Sequence, residues 1–119
     1  VDCRIDPETA YRVVALILEG STEDAVEVLA EYFGVDPPRL AVKRPKGVGK
    51  ALAVYVAGKE TIYFTRGEYY SNPFIVLHEF YHHLRMFEGK HRGTEKNADA
   101  FALCIIERAR AYASRRGRR

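Results

Sequence analysis

The sequence predicts an α+β domain, on three observations. Apolar residues recur at helical spacing through the first third of the chain, short β-branched and aromatic runs separated by turn residues fill the middle, and helical spacing returns from Pro73 onward. With 119 residues, 47% of them hydrophobic, there is room for one core and one compact site, so residues 1–119 read as a single unit.

Asp6 before Pro7 is an N-cap followed by proline at the first helical position, and Ala10, Val13, Val14 and Ile17 then line one face of a helix as far as Gly20. Ser21 and Asp24 have the spacing of a capping box, and Ala25, Val28, Leu29, Tyr32 and Phe33 give the second helix its apolar face before Gly34 ends it. Asp36-Pro37-Pro38 cannot continue a helix. Leu40 to Lys43, Ala51 to Val56 and Thr61 to Thr65 read as three strands, the last two joined by a tight hairpin at Ala57-Gly58-Lys59-Glu60. The looser, basic connection Pro45 to Lys50 includes Gly47-Val48-Gly49-Lys50, which lacks the glycine spacing, the Ser/Thr and the following helix of a phosphate loop. After a turn over Arg66 to Ser71, Asn72 caps and Pro73 opens a third helix that should stop at Gly89. Thr94 caps a long fourth helix with Ala98, Phe101, Ala102, Ile105 and Ile106 facing inward.

The formal net charge is +3, and Arg115, Arg116, Arg118 and Arg119 gather much of it in a basic tail from about residue 114. The body is then near neutral, which argues against general nucleic-acid binding. The tail reads as a solvated segment, with an anionic partner or a cover over the cleft as the other two readings. No run of about 18 apolar residues occurs, and VDCRIDPE has no signal-peptide pattern, so the reading is a soluble, cytoplasmic protein without a membrane partner. In that reducing setting Cys3 and Cys104 read as small buried thiols; a disulfide would need the N-terminus to lie against the last helix. The lack of Gln, beside many Lys, Arg and Glu, leans towards a thermophilic source.

The chemistry concentrates in HEFYHH, residues 78 to 83. His78 and His82, one helical turn apart, can offer two imidazole nitrogens to one cation at the roughly 2.0–2.1 Å that zinc requires. Glu79, one residue round, can reach a water at the metal without coordinating it, which is the place of a general base. The competing reading is a polar patch on a helix whose Phe80, Tyr81, Leu84 and Phe87 face the core. A third ligand is the independent test, and Glu95, in the first turn of the fourth helix, supplies it. Asp99, a turn further on, can fix the tautomer of a zinc-bound histidine. Among the rivals, Glu88 would need the helix to break near Arg85, where there is no glycine, whereas His91 in the loop stays open; His83 points away and reads as a surface residue.

HEFYH followed by Glu95-x-x-x-Asp99 resembles the gluzincin metallopeptidases, in which two histidines of HExxH and a downstream glutamate bind zinc. The stretch Glu95-Lys96-Asn97-Ala98-Asp99-Ala100-Phe101-Ala102 is similar to the glutamate helix of ImmA/IrrE-type and HtpX-like peptidases, and the small size is similar to that of the minigluzincins, which carry histidine where this chain has Glu95. The resemblance covers roughly Thr61 to Ala102. It implies a minimal zincin-like domain that hydrolyses peptide bonds in a peptide or protein substrate with Zn2+, Glu79 activating the water, in a form that can be latent. It also implies a substrate laid along a sheet edge, for which Thr61-Ile62-Tyr63-Phe64-Thr65 is the candidate strand, and a transition-state stabiliser, for which Tyr69 and Tyr70 are the nearest candidates. The alternative of a different class is a non-catalytic metal-binding regulatory or scaffold protein that contacts nucleic acid through its basic tail.

Overall fold

Helix starts in this chain are set by side chains that accept the first free backbone N–H groups. The computed structural model describes residues 2–89 and 93–117. Helix α1 (Pro7–Leu18) is capped by Asp6, α4 (Pro73–Phe87) by Asn72 and α5 (Glu95–Arg116) by Thr94, accepting from the N–H of Thr9, Ile75 and Asn97 respectively. Helix α2 (Thr22–Phe33) departs from expectation, because the side chain of Ser21 makes no cap bond. Its first residue, Thr22, is buried and donates to the carbonyl of Tyr70 at 2.6 Å, which ties α2 to the short helix α3 (Gly67–Tyr70) rather than to a capping box. Glycines 34 and 89, at φ 75° each, end α2 and α4 in the left-handed conformation that lacks a penalty only without a Cβ.

Between the helix pairs lies a mixed sheet of β1 (Arg39–Val42), β2 (Ala53–Val56) and β3 (Thr61–Phe64) in the order β1-β3-β2. Strand β1 runs parallel to β3 and β2 antiparallel to it. The expected hairpin joins β2 to β3, its link a 3-10 turn over Ala57–Lys59 closed by Glu60 at φ 48°. Thr61 to Thr65 is therefore the middle of the sheet. Both backbone edges of β3 are occupied, so the expectation that a substrate adds to this strand is overturned; the free edges are the outer ones of β1 and β2.

Helix α4 is the centre of the molecule, packed against α5, α1 and α2 on one side and β2 on the other. From Val76 to Leu84 every residue but His78 is buried. This enclosure corrects the placement of His83, which is not at the surface but fully buried. Its Nε2 donates to the carbonyl of Asp36 at 2.7 Å, and its Nδ1 accepts from the Tyr55 hydroxyl at 2.8 Å. Burial pushes the Tyr55 hydroxyl up, with the charge of Glu60 adding to it, so it remains the donor. The apolar face of α2 is also rotated from expectation: Val26 and Ala30 are buried with Ala25 and Leu29, while Tyr32 is exposed and bonds the N–H of Asp6 and the carbonyl of Arg4.

Cys3 and Cys104 form a disulfide across 101 residues, contrary to the free-thiol reading. The geometric condition is met because Tyr32 and Arg108 hold the first residues against α5, Arg108 donating to the carbonyl of Ile5 at 2.7 Å and pairing with Asp2 at 3.1 Å. Nor does a tail begin at 114. Ser114 to Arg116 continue α5, and Arg116 stacks over the rings of Tyr11 and Tyr112 at 5.9 and 5.7 Å. The described end of the chain thus lies on α1, about 30 Å along the helix from Glu95, and does not cover a cleft there. Arg118 and Arg119 lie outside the described residues. No helix among the described residues is long and apolar enough to cross a membrane.

Reducing the disulfide removes a cross-link from a loop of about 100 residues and should lower the unfolding free energy by about 2–5 kcal/mol, read as the fall in urea midpoint on adding reductant. Burial, outweighing the Asp36 carbonyl and the charges of Glu60 and Asp36, holds His83 below the ordinary histidine pKa. The unfolded chain then takes up this proton first, so the stability that neutral His83 provides is complete above about pH 6.5 and is lost as pH falls through the lower folded value. The urea midpoint of the wild type should therefore fall more steeply between pH 7 and 5 than that of His83→Phe, the other histidines being common to both.

Candidate metal centre

Helices α4 and α5 meet where the first turn of α5 passes the middle of α4. The rings of His78 and His82, one turn apart, stand with centroids 5.1 Å from each other. Oε2 of Glu95 lies 3.0 Å from Nε2 of His78 and 2.9 Å from Nε2 of His82, and the three ligand atoms fall within 4.8 Å of one another. These three residues form a group that can hold a metal ion. Ligands of a tetrahedral ion at roughly 2.0–2.1 Å are about 3.3 Å apart, so Glu95 would draw back from each histidine by a few tenths of an ångström to admit one.

The donor set carries a second indication. His78 faces a carboxylate on both ring nitrogens, Glu95 on Nε2 and Asp99 Oδ1 on Nδ1 at 2.8 Å. A neutral imidazole has one proton for these two acceptors; a cation on Nε2 with the proton on Nδ1 satisfies both. Desolvation raises the Glu95 carboxyl, but hydrogen bonds from His82 and His78 outweigh it and hold the group below the ordinary carboxylate range. Glu79 is buried, with Oε2 3.8 Å from His78 Nε2. His82 forms the closed floor at 0% side-chain exposure, whereas Glu95 at 68% leaves the cluster open towards solvent on the α5 side.

Glu95 reaches the cluster because the chain before it can pass close over α4. A Cβ on Gly93 would stand 2.6 Å from the Tyr81 ring, and Gly93 also has φ 83°. Only glycine fits there. The Gly-Thr pair ahead of the fourth helix was the visible trace of this, but its importance depends on where the Tyr81 ring lies. Of the other expected site residues, Tyr70 packs edge-on against Phe64 at 5.5 Å, and Tyr69 is half-buried against the core. Helix α4 runs unbroken through Arg85, which keeps Glu88 off the histidine face, and His91 lies outside the described residues. A second set of possible ligands, Asp2 with Cys3 and Cys104, is closed by the disulfide, since its sulfurs are bonded to each other.

No family of proteins, no curated protein and no solved structure matches this chain. Gly93→Ala should displace Glu95 and weaken metal binding at least tenfold, and Asp99→Asn, which leaves the candidate ligands in place, should weaken it by about 10–100-fold; competition for a divalent ion with a chromogenic chelator measures both.

Proposed function

We propose that the protein is a zinc-dependent metallopeptidase that cuts peptide bonds in a peptide or protein substrate. The observation that carries this reading is the convergence of His78, His82 and Glu95 on one point, with Asp99 behind His78 and Glu79 beside it. Two imidazoles and one carboxylate suit zinc among the common divalent ions, and three protein ligands leave a fourth position open. When bound, the ion supplies a Lewis acid that polarises a carbonyl and makes water acidic near neutral pH.

Each side chain then has a separate task. Asp99 holds the proton of His78 on Nδ1 and so turns the Nε2 lone pair towards the ligand position. Glu95 contributes negative charge from the exposed side and ties α5 to both histidines. Glu79 takes the proton of the attacking water and passes it to the leaving amine, its burial keeping competing solvent away. An extended peptide that binds by backbone pairing would use the outer edge of β2, the strand whose Tyr55 bonds α4. Retention of a buried carboxylate beside the ligands favours hydrolysis over a purely structural metal, which needs no base. A cytoplasmic location accords with the Cys3–Cys104 bond for a thermophilic source, because intracellular proteins of hyperthermophiles are often disulfide-bonded.

The test is zinc per chain and casein cleavage on the same preparations. Wild type and Glu79→Gln should both hold one zinc, Glu95→Ala should lose it, and Glu79→Gln should cleave on the order of 10²–10⁴-fold more slowly than wild type. Stoichiometric zinc in a wild type that cuts nothing sinks the peptidase reading and leaves a metal-bound scaffold.

A further inference from the structure

The total of +3 hides a sharp segregation of charge. Up to Pro38 the sequence holds nine acids against Arg4 and Arg12, whereas residues 39–66, the sheet and its connections, hold seven bases against the single acid Glu60. All seven bases are exposed. Arg66 pairs with Glu68 and Arg44 bonds the carbonyl of Gly49, but the side chains of Arg39, Lys43, Lys46, Lys50 and Lys59 make no hydrogen bond or ion pair among the described residues.

One face of the sheet is turned away from the core, with Arg39 on it and the other bases in the flanking connections. Leu40, Tyr55, Ile62 and Phe64 turn towards α4 and the core. By alternation Ala41, Val54, Val56 and Tyr63 turn the other way, half-exposed and outside both the core and the residues packed on it. Tyr63 sits on the central strand between Ala41 and Val54 and is partly exposed. Beside it, Arg39, Lys59, Glu60, Thr61 and Tyr63 line an open hollow of about 440 Å³, within the range of small-ligand sites.

We propose that this face binds single-stranded nucleic acid, with a base stacked on Tyr63 and phosphates held by Arg39, Lys59 and the basic connection over residues 43–50. Unpaired bases are favoured because a partly exposed ring on the sheet offers a stacking surface that paired bases cannot use. An acidic polypeptide would satisfy the charges but makes no use of a partly exposed aromatic ring. Glu60 repels phosphate and accepts from an amino group on a base edge, which places the base rather than the backbone beside it. Helix α2, with Glu23, Asp24, Glu27 and Glu31 and no base, repels a polyanion and so favours its approach from the sheet side. His78 and His82 meet α5 through Glu95, whereas α4 meets the core side of the sheet through His83 and Tyr55, so the proposal does not depend on the peptidase reading.

Fluorescence anisotropy with a labelled 12-nucleotide oligo(dT), on the full chain, tests it. Wild type should bind at 50 mM salt, with affinity falling steeply as salt rises and a matched duplex binding more weakly. Arg39→Glu with Lys59→Glu should weaken oligo(dT) at least tenfold, and Tyr63→Ala about tenfold, while Tyr63→Phe keeps the wild-type affinity and an unchanged melting curve confirms folding of each variant. Any of three results overturns the proposal: no binding at low salt, equal binding of poly-glutamate with no effect of Tyr63→Ala, or binding that survives the double reversal but is lost in Arg115→Ala with Arg116→Ala.

Discussion

Everything in this molecule is organised around a helix that is buried on nearly all sides and yet carries three histidines and a glutamate. Polar groups taken out of water must find partners inside the protein or the helix costs more than its apolar residues return. Helix α4 finds them in two directions. Towards the sheet, His83 is satisfied by Tyr55 and the Asp36 carbonyl; towards α5, His78 and His82 meet Glu95 and Asp99. The two polar sets act as registers that fix how far along α4 the sheet and α5 must sit. The same bonds that make the buried helix tolerable therefore bring three ligand atoms to one point.

Local features were legible in the sequence, and those that depend on what lies opposite were not. Asp6, Asn72 and Thr94 announced their helices because a cap acts within three residues. HExxH and the pair Glu95 and Asp99 were readable for the same reason, since each pair lies on one turn of one helix. His83 was misplaced because helical spacing says which residues share a face but not how many faces are covered. The order of the sheet was hidden in the same way: β2 and β3 alternate as strands do, and nothing in the alternation says that β1 takes the second edge of β3. In hindsight the burial of Thr61, Ile62 and Phe64 fits a middle strand, but four residues are too few to show it from composition alone.

Two further features depend on position rather than on totals. The near-neutral charge of the body averages an acidic first third against a basic middle segment. The cysteine pair was judged by compartment rather than by distance, and the decisive facts, Tyr32 and Arg108 gripping the first residues of the chain, are contacts across more than 25 and 100 positions.

The bond between Cys3 and Cys104 has a consequence of a different kind. It closes α1 to α4, the sheet and the first turns of α5 as far as Cys104 into one covalent ring, with only the residues beyond Cys104 and before Cys3 outside it. A single cut in any connection between these elements opens the ring without releasing a fragment. A nicked chain thus keeps its mass, and so long as its packing holds, Glu95 remains tethered to the two histidines through the uncut half of the circle.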